Sequence, residues 1–133
     1  MRLLSFLLVL VCVSPAWATD RQRAKPILPA DAGKHVSEKV TVEMLVKATK
    51  DRLLKRQEIY LDSEENFRDP KNLGVIITKA GAENLQKAGV KDPAAHYKGK
   101  TIQVTGTVIR KENRLRIEVD DAKQIRIIDK SKE

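Results

Sequence analysis

From about residue 40 onward, apolar and polar positions alternate with the two-residue period of half-buried β-strands. Val40, Val42, Met44, Val46 and Ala48 share one face of a predicted strand over 40–48, with Thr41, Glu43 and Lys47 on the other and Leu45 interrupting the polar face. The charged stretch 50–56 reads as a loop. A second strand over 58–63 turns Ile59 and Leu61 inward and Tyr60 outward. After the loop 64–72, the third strand, 73–78, is nearly continuous in apolar residues, as a strand covered on both faces should be. Good helix formers fill 80–88 ahead of Gly89, and Asp92-Pro93 caps one further helical turn that ends at Gly99. The fourth strand, 101–109, points Ile102, Val104 and Val108 inward and places Gly106 where a curling strand would bend. A turn at 111–113 leads to the fifth strand, 114–119, with Leu115, Ile117 and Val119 inward and Arg114 and Arg116 outward. Residues 124–128 add a last short strand.

Three strands, a helix and a long hairpin, without strand–helix alternation, predict a mainly β fold. The expected architecture is a five-stranded Greek-key OB-fold barrel with one helix between strands 3 and 4. An open α+β sheet is the alternative.

The N-terminus carries a different pattern. Met1-Arg2 is followed by an apolar run over 3–13 and by Ala16-Trp17-Ala18, a small-x-small site. This is a secretory signal peptide, 1–18, and the run is too short to span a membrane. The expected location is therefore exported, periplasmic or secreted, with cleavage after Ala18. Residues 19–34 hold Pro26 and Pro29, lack a period, and read as an extended linker; the domain is expected over 35–129 and a polar tail over 130–133. The single cysteine, Cys12, departs with the signal. The mature protein then has no thiol for a disulfide, a cysteine metal site or a nucleophile, and its apolar core alone must hold it.

The formal net charge is +8. In an OB barrel the ligand lies on the face of strands 2 and 3, bordered by the loop joining strands 1 and 2 and the loop joining strands 4 and 5. Here the first border offers Lys50, Arg52, Lys55 and Arg56, and the second offers Arg110, Lys111, Arg114 and Arg116. Two such rims attract a polyanion by releasing its condensed counterions. Tyr60 is the candidate stacking residue, and Phe67 lies on a neighbouring loop. Asp62, Glu64, Glu65 and Asp69 make the field patchy, and aromatics amount to only 4%.

His35 and His96 lie far apart with no Cys beside them and form no helical His pair, so the sequence offers no zinc-site spacing. No Ser-His-Asp spacing or glycine-rich phosphate loop occurs. The expectation is a non-enzyme without cofactor or metal. Asp62, Glu64 and Glu118 with Arg116 form only a loose set for metal-dependent nuclease chemistry.

The segment from Tyr97-Lys98-Gly99-Lys100 through Val108 resembles exported bacterial OB-fold proteins of the tRNA-anticodon-binding-like type, as do 114–119 with Asp120 and Gln124-Ile125, and Ala32-Gly33-Lys34-His35-Val36 leading into Lys39-Val40-Thr41-Val42-Glu43. The resemblance covers about residues 32–128. One departure is Tyr60-Leu61-Asp62-Ser63, where such proteins often carry a short aromatic-and-glycine motif. The resemblance implies the fold and a binding role, with partners that range over nucleic acid, oligosaccharide and protein. Residues and resemblance together predict an exported module holding single-stranded nucleic acid or another polyanion. The alternative is a non-catalytic envelope protein–protein interaction module.

Overall fold

The computed structural model describes residues 25–128. The predicted signal peptide, 1–18, and the tail, 130–133, lie outside the described residues. In chain order the elements are β1 (Lys39–Leu45), β2 (Ala48–Arg52), α1 (Leu53–Arg56), β3 (Glu58–Asp62), β4 (Leu73–Thr78), α2 (Lys79–Lys87), α3 (Pro93–Tyr97), β5 (Thr101–Lys111), β6 (Arg114–Val119) and β7 (Ile125–Ile127). Short 3-10 helices occupy Pro29–His35 and Ala122–Gln124.

The strands form one seven-stranded sheet in the order β1-β5-β6-β4-β3-β2, with β7 added on β5. Neighbours run antiparallel except β4 and β6, which are parallel. The fold is thus mainly β, as the alternation predicts. It has seven strands where five barrel strands and the short strand over 124–128 were expected, and no ladder joins β1 to β2, so backbone hydrogen bonds do not close the sheet.

The strand expected over 40–48 is in fact two. β1 pairs with β5, whereas β2 pairs with β3. The change of partner falls at Val46, whose N–H donates to the Lys100 carbonyl at 2.9 Å, and Lys47, whose N–H donates to the Asp62 carbonyl at 3.0 Å. Met44 and Val46 are both buried, so one apolar row runs through the bend and the alternation does not mark it. The stretch read as a charged loop, 50–56, begins as strand and ends as α1. Two helices, not one, stand between β4 and β5. The second is the predicted turn, with Asp92 Oδ1 accepting from Ala95 N–H at 3.3 Å.

The expected linker also differs from Lys25 on. Ile27 bridges to Val42 through two backbone hydrogen bonds, Ile27 N–H to Thr41 O at 2.9 Å and Glu43 N–H to Ile27 O at 3.0 Å. The following 3-10 helix buries Ala32 completely. A segment that sends one small side chain into the core leaves no period to read.

β5 changes partner as it curls. It pairs with β1 through Thr107 and with β6 from Val108. At the change, a Cβ on Gly106 would stand 2.7 Å from Ile117 Cγ2, so close side-chain packing is what requires glycine here. The inward rows of all these strands, among them Ile59, Leu61, Val75, Ile77, Val104 and Ile117, merge with Leu85 of α2 and Tyr97 of α3 into a single core cluster. Among the described residues no helix is long and apolar enough to cross a membrane.

Candidate functional site

The outward side chains of β2, β3, β4 and β6 make one continuous face. Lys50, Tyr60 and Ile76 stand in register across β2, β3 and β4. One step along, Asp62, Gly74 and Arg116 stand in register across β3, β4 and β6. A cavity of about 260 Å³ opens on this face. Of the residues the sequence singles out, Lys50, Arg52, Arg56, Tyr60, Arg114 and Arg116 line it. Lys55, Arg110 and Lys111 do not. Lys55 is exposed on α1, Arg110 stands opposite Leu115, and Lys111 opposite Arg114 closes the ladder at the hairpin tip.

Local backbone geometry aims these cations. Glu112 and Asn113 both take positive φ, 53° and 61°, in a two-residue hairpin turn. Paired positive φ matches the twist of the flanking strands and keeps β5 and β6 in register through Arg114. At the other rim α1 is closed by Asp51 Oδ1, which accepts from Leu53 N–H at 2.9 Å, and by Gln57 in the left-handed region, whose N–H donates to the Leu53 carbonyl at 3.0 Å.

The cations are thinly paired. Among the described residues the ion pairs of 4 Å or less are Lys34–Asp31, His35–Glu38, Lys47–Glu64 and Arg116–Glu58, so Lys50, Arg52, Arg56 and Arg114 make none. The Arg116–Glu58 contact is long, 3.8 Å, and the buried Nε of Arg116 has no hydrogen-bond partner. Arg114 lays its guanidinium over the Phe67 ring at 4.5 Å, with Arg68 at 5.4 Å from the same ring. Cation–π contact of this kind fixes a side chain without neutralising its charge.

Burial acts on two ionisable groups in the cavity. Burial pushes the Tyr60 phenol up, and the Glu58 carboxylate, which accepts its hydrogen bond at 3.1 Å, adds to this against an opposing effect of Arg56. Burial also pushes Asp62 up, opposed by its hydrogen bond from Asn72 and by the charges of Arg114 and Lys50. Asn72 organises the neighbouring loop, donating to Asp62 Oδ1 at 3.1 Å and to the Phe67 carbonyl at 3.3 Å while accepting from Glu64 N–H at 3.0 Å.

Asn72, Gly74 and Ile76 line the cavity but were not among the residues sequence reasoning chose. The usable signal was the register of 73–78 against Tyr60, which the unbroken apolar run hides. The loose nuclease set is not gathered: Glu64 is held by Lys47 at 3.1 Å, and Glu118 lines a separate cavity. Among the described residues no group of three or more His, Cys, Asp or Glu side chains is placed to hold a metal. The separate cavity, about 1180 Å³, lies on the outer side of β1 and β5.

The chain matches no family model and no curated protein. Solved structures do match it. Aspartyl-tRNA synthetase from Entamoeba histolytica matches with a TM-score of 0.55 at 16% identity, over 86% of this chain and 22% of the synthetase. Asparaginyl-tRNA synthetase from Pyrococcus horikoshii matches with a TM-score of 0.53 at 14% identity, over 78% of this chain and 23% of that one. An OBody bound to hen egg-white lysozyme matches with a TM-score of 0.55 at 14% identity, over 80% of this chain and 94% of the OBody. The chain thus spans about a fifth of the length of the synthetases it resembles. At such identities the likeness concerns the fold alone. The neighbours are consistent with an OB-fold, which agrees with the strand order and with the face on which the cavity lies.

Proposed function

We propose that this protein is an exported, non-catalytic OB-fold binding module that holds single-stranded nucleic acid, or another polyanion, along the outer face of β2, β3, β4 and β6. The supporting observation is that cations from two distant stretches of sequence, Lys50, Arg52 and Arg56 on one side and Arg114 and Arg116 on the other, line one cavity. Taking β1 and β2 as halves of one bent strand turns the sheet into a five-stranded barrel of the bacterial anticodon-binding-like type, with β7 as an addition. Export rests on the signal pattern at 1–18, and mass spectrometry of the exported protein is expected to find Thr19 at its N-terminus.

The test is a fluorescence-anisotropy titration with labelled oligonucleotides at several salt concentrations. Four cations free of ion pairs predict a slope of log affinity against log salt of about −3 for a single strand. Failure to bind any oligonucleotide or heparin-like polymer at low salt overturns the proposal.

A second reading, docking of an envelope protein, is favoured by Leu54, which is fully exposed on α1 between Arg52 and Lys55 in sequence, and by the part-exposed Phe67 that lines the cavity. It predicts a specific protein recovered from envelope extract, in a complex that survives salt.

A further inference from the structure

The proposed polyanion site contains a carboxylate that a phosphate would avoid. Asp62 lines the cavity, and its Oδ1 accepts from Asn72 while no hydrogen bond among the described residues reaches Oδ2. Across the face stands Arg116, which meets Glu58 only at 3.8 Å and whose Nε is unsatisfied. The residue between them in the register is Gly74.

Nothing in the backbone asks for glycine at this position. Gly74 is not among the positive-φ residues, and a Cβ there would meet Asp62 Oδ1 at 3.5 Å, Ile76 Cδ1 at 3.6 Å and the Leu115 carbonyl at 3.8 Å, all ordinary contacts. Gly106 is the opposite case, with a neighbour at 2.7 Å. What the missing side chain leaves is a floor of bare, buried backbone in van der Waals reach of the Asp62 carboxylate and in register with Arg116, as expected where a ligand approaches a strand closely.

The cavity holds about 260 Å³. That is below the range of roughly 300–1,000 Å³ that encloses a whole small ligand, so one unit of a longer chain fits it better. Beside the floor stand the Tyr60 ring and the Phe67–Arg114 pair, flat surfaces on which a base can stack. Among the four bases, guanine alone presents two adjacent donors, N1–H and N2–H, next to an acceptor, O6. A carboxylate, which only accepts, takes the donor pair in bidentate fashion, and an arginine N–H takes the oxygen.

We infer that this slot, floored by Gly74 between Asp62 and Arg116, selects a guanine base from the bound strand, while Lys50, Arg52 and Arg56 hold the backbone phosphates. The inference rests on the nucleic-acid reading of the same face. It adds that the site has a base preference, which a polyanion trough lacks.

The experiment is an anisotropy titration of the full chain with a decathymidylate and with three versions in which one central thymidine becomes deoxyguanosine, deoxyadenosine or deoxycytidine. The guanine version is expected to bind at least about fivefold more tightly than decathymidylate, the lower end of what a bidentate base contact contributes. Asp62→Asn is expected to bring that ratio to about one while strengthening decathymidylate binding, because a negative charge leaves the site. Gly74→Ala, with circular dichroism as a check on folding, is expected to lower the ratio by filling the floor. Equal binding of all four strands, or a guanine ratio that survives Asp62→Asn, overturns the inference and leaves the polyanion proposal standing. Binding of heparin without binding of any of the strands likewise removes the base slot only. Absence of binding to all of them removes both.

Discussion

The two outer faces of the sheet use polar residues in opposite ways. On the β1–β5 side, polar groups satisfy one another. Thr41 Oγ1 and Thr105 Oγ1 are 2.8 Å apart, Gln103 Nε2 donates to Glu43 Oε1 at 3.1 Å, and Arg126 donates to Gln103 Oε1 at 2.6 Å. Gln124 makes four bonds: it donates to the carbonyls of Thr105 and Glu118, each at 3.0 Å, and accepts from the N–H groups of Asp120 and Asp121 at 2.8 and 3.0 Å. On the β2–β3–β4–β6 side four cations make no ion pair, an arginine nitrogen is unsatisfied, and a carboxylate oxygen has no donor. The first face is wide, with a cavity of about 1180 Å³, yet its hydrogen bonds are internal. The second is small and keeps open hydrogen-bonding capacity on Arg116 Nε and Asp62 Oδ2; this, not the unpaired cations, sets it apart, since among the described residues Lys25, Lys39 and Lys123 around the first cavity make no ion pair either. Size therefore points to one face and unsatisfied chemistry to the other, and chemistry is the better guide because unmade hydrogen bonds are what a ligand completes.

The sharpest way to break this contrast is to remove a residue from the saturated face. Gln124→Ala deletes four hydrogen bonds, each contributing about 0.5–1.5 kcal/mol net, in a setting where water replaces some of them. A loss of about 2–3 kcal/mol is expected in urea unfolding, the bond from Asp121 N–H that completes the capping box of the Ala122–Gln124 turn being one of the four. Oligonucleotide affinity at a temperature where the variant remains folded should not change. If stability barely moves, internal saturation does not distinguish a structural face from a binding one.

The matching change on the other face should invert the result. Arg52→Ala combined with Arg114→Ala removes one unpaired cation from each rim. Surface substitutions away from buried networks shift stability by about 0.5 kcal/mol or less each. Affinity for a single strand at low salt is expected to fall by about tenfold or more, and the salt slope to flatten by about 1.4 as two cations facing the strand disappear. A variant that unfolds more easily but binds as before would make these arginines structural.

How far the sequence anticipates this contrast depends on what each residue does to the local pattern. The inward rows of β3, β5 and β6, and the outward aim of Arg114, Arg116 and Tyr60, follow from the period-two alternation, because each strand buries one row more deeply than the other. The same rule conceals the split of 40–48, where Val46 stays buried through the change of partner. β2 is unreadable as a strand because Ala48–Arg52 carries no large apolar side chain, and only its pairing with β3 defines it. The rims were legible as charge, but which cations converge was not: Arg56 is placed by a left-handed Gln57, and Lys111 is excluded by one residue of hairpin register. Gly74 was invisible as a site residue because its role lies in an absent side chain between two partners on other strands.

The smallest expected effect tests the comparison most finely. Burial raises the Asp62 carboxyl above its ordinary value of 3.8, so the folded chain holds that proton more tightly than the unfolded chain does. The resulting stabilisation is fully present below the unfolded value and is lost as pH rises through the native one. At neutral pH the charged carboxylate is therefore a net cost, partly relieved by Asn72, Arg114 and Lys50. Asp62→Asn is expected to raise the urea midpoint at neutral pH by well under about 1 kcal/mol equivalent, since the carboxylate still sees solvent, and to lose this advantage as pH falls to about 4. Midpoints measured for both proteins across that range decide it. If the substitution instead destabilises the neutral protein, attraction to Arg114 and Lys50 outweighs burial. The carboxylate would then be their structural partner, and this face would be as internally satisfied as the one around Gln124.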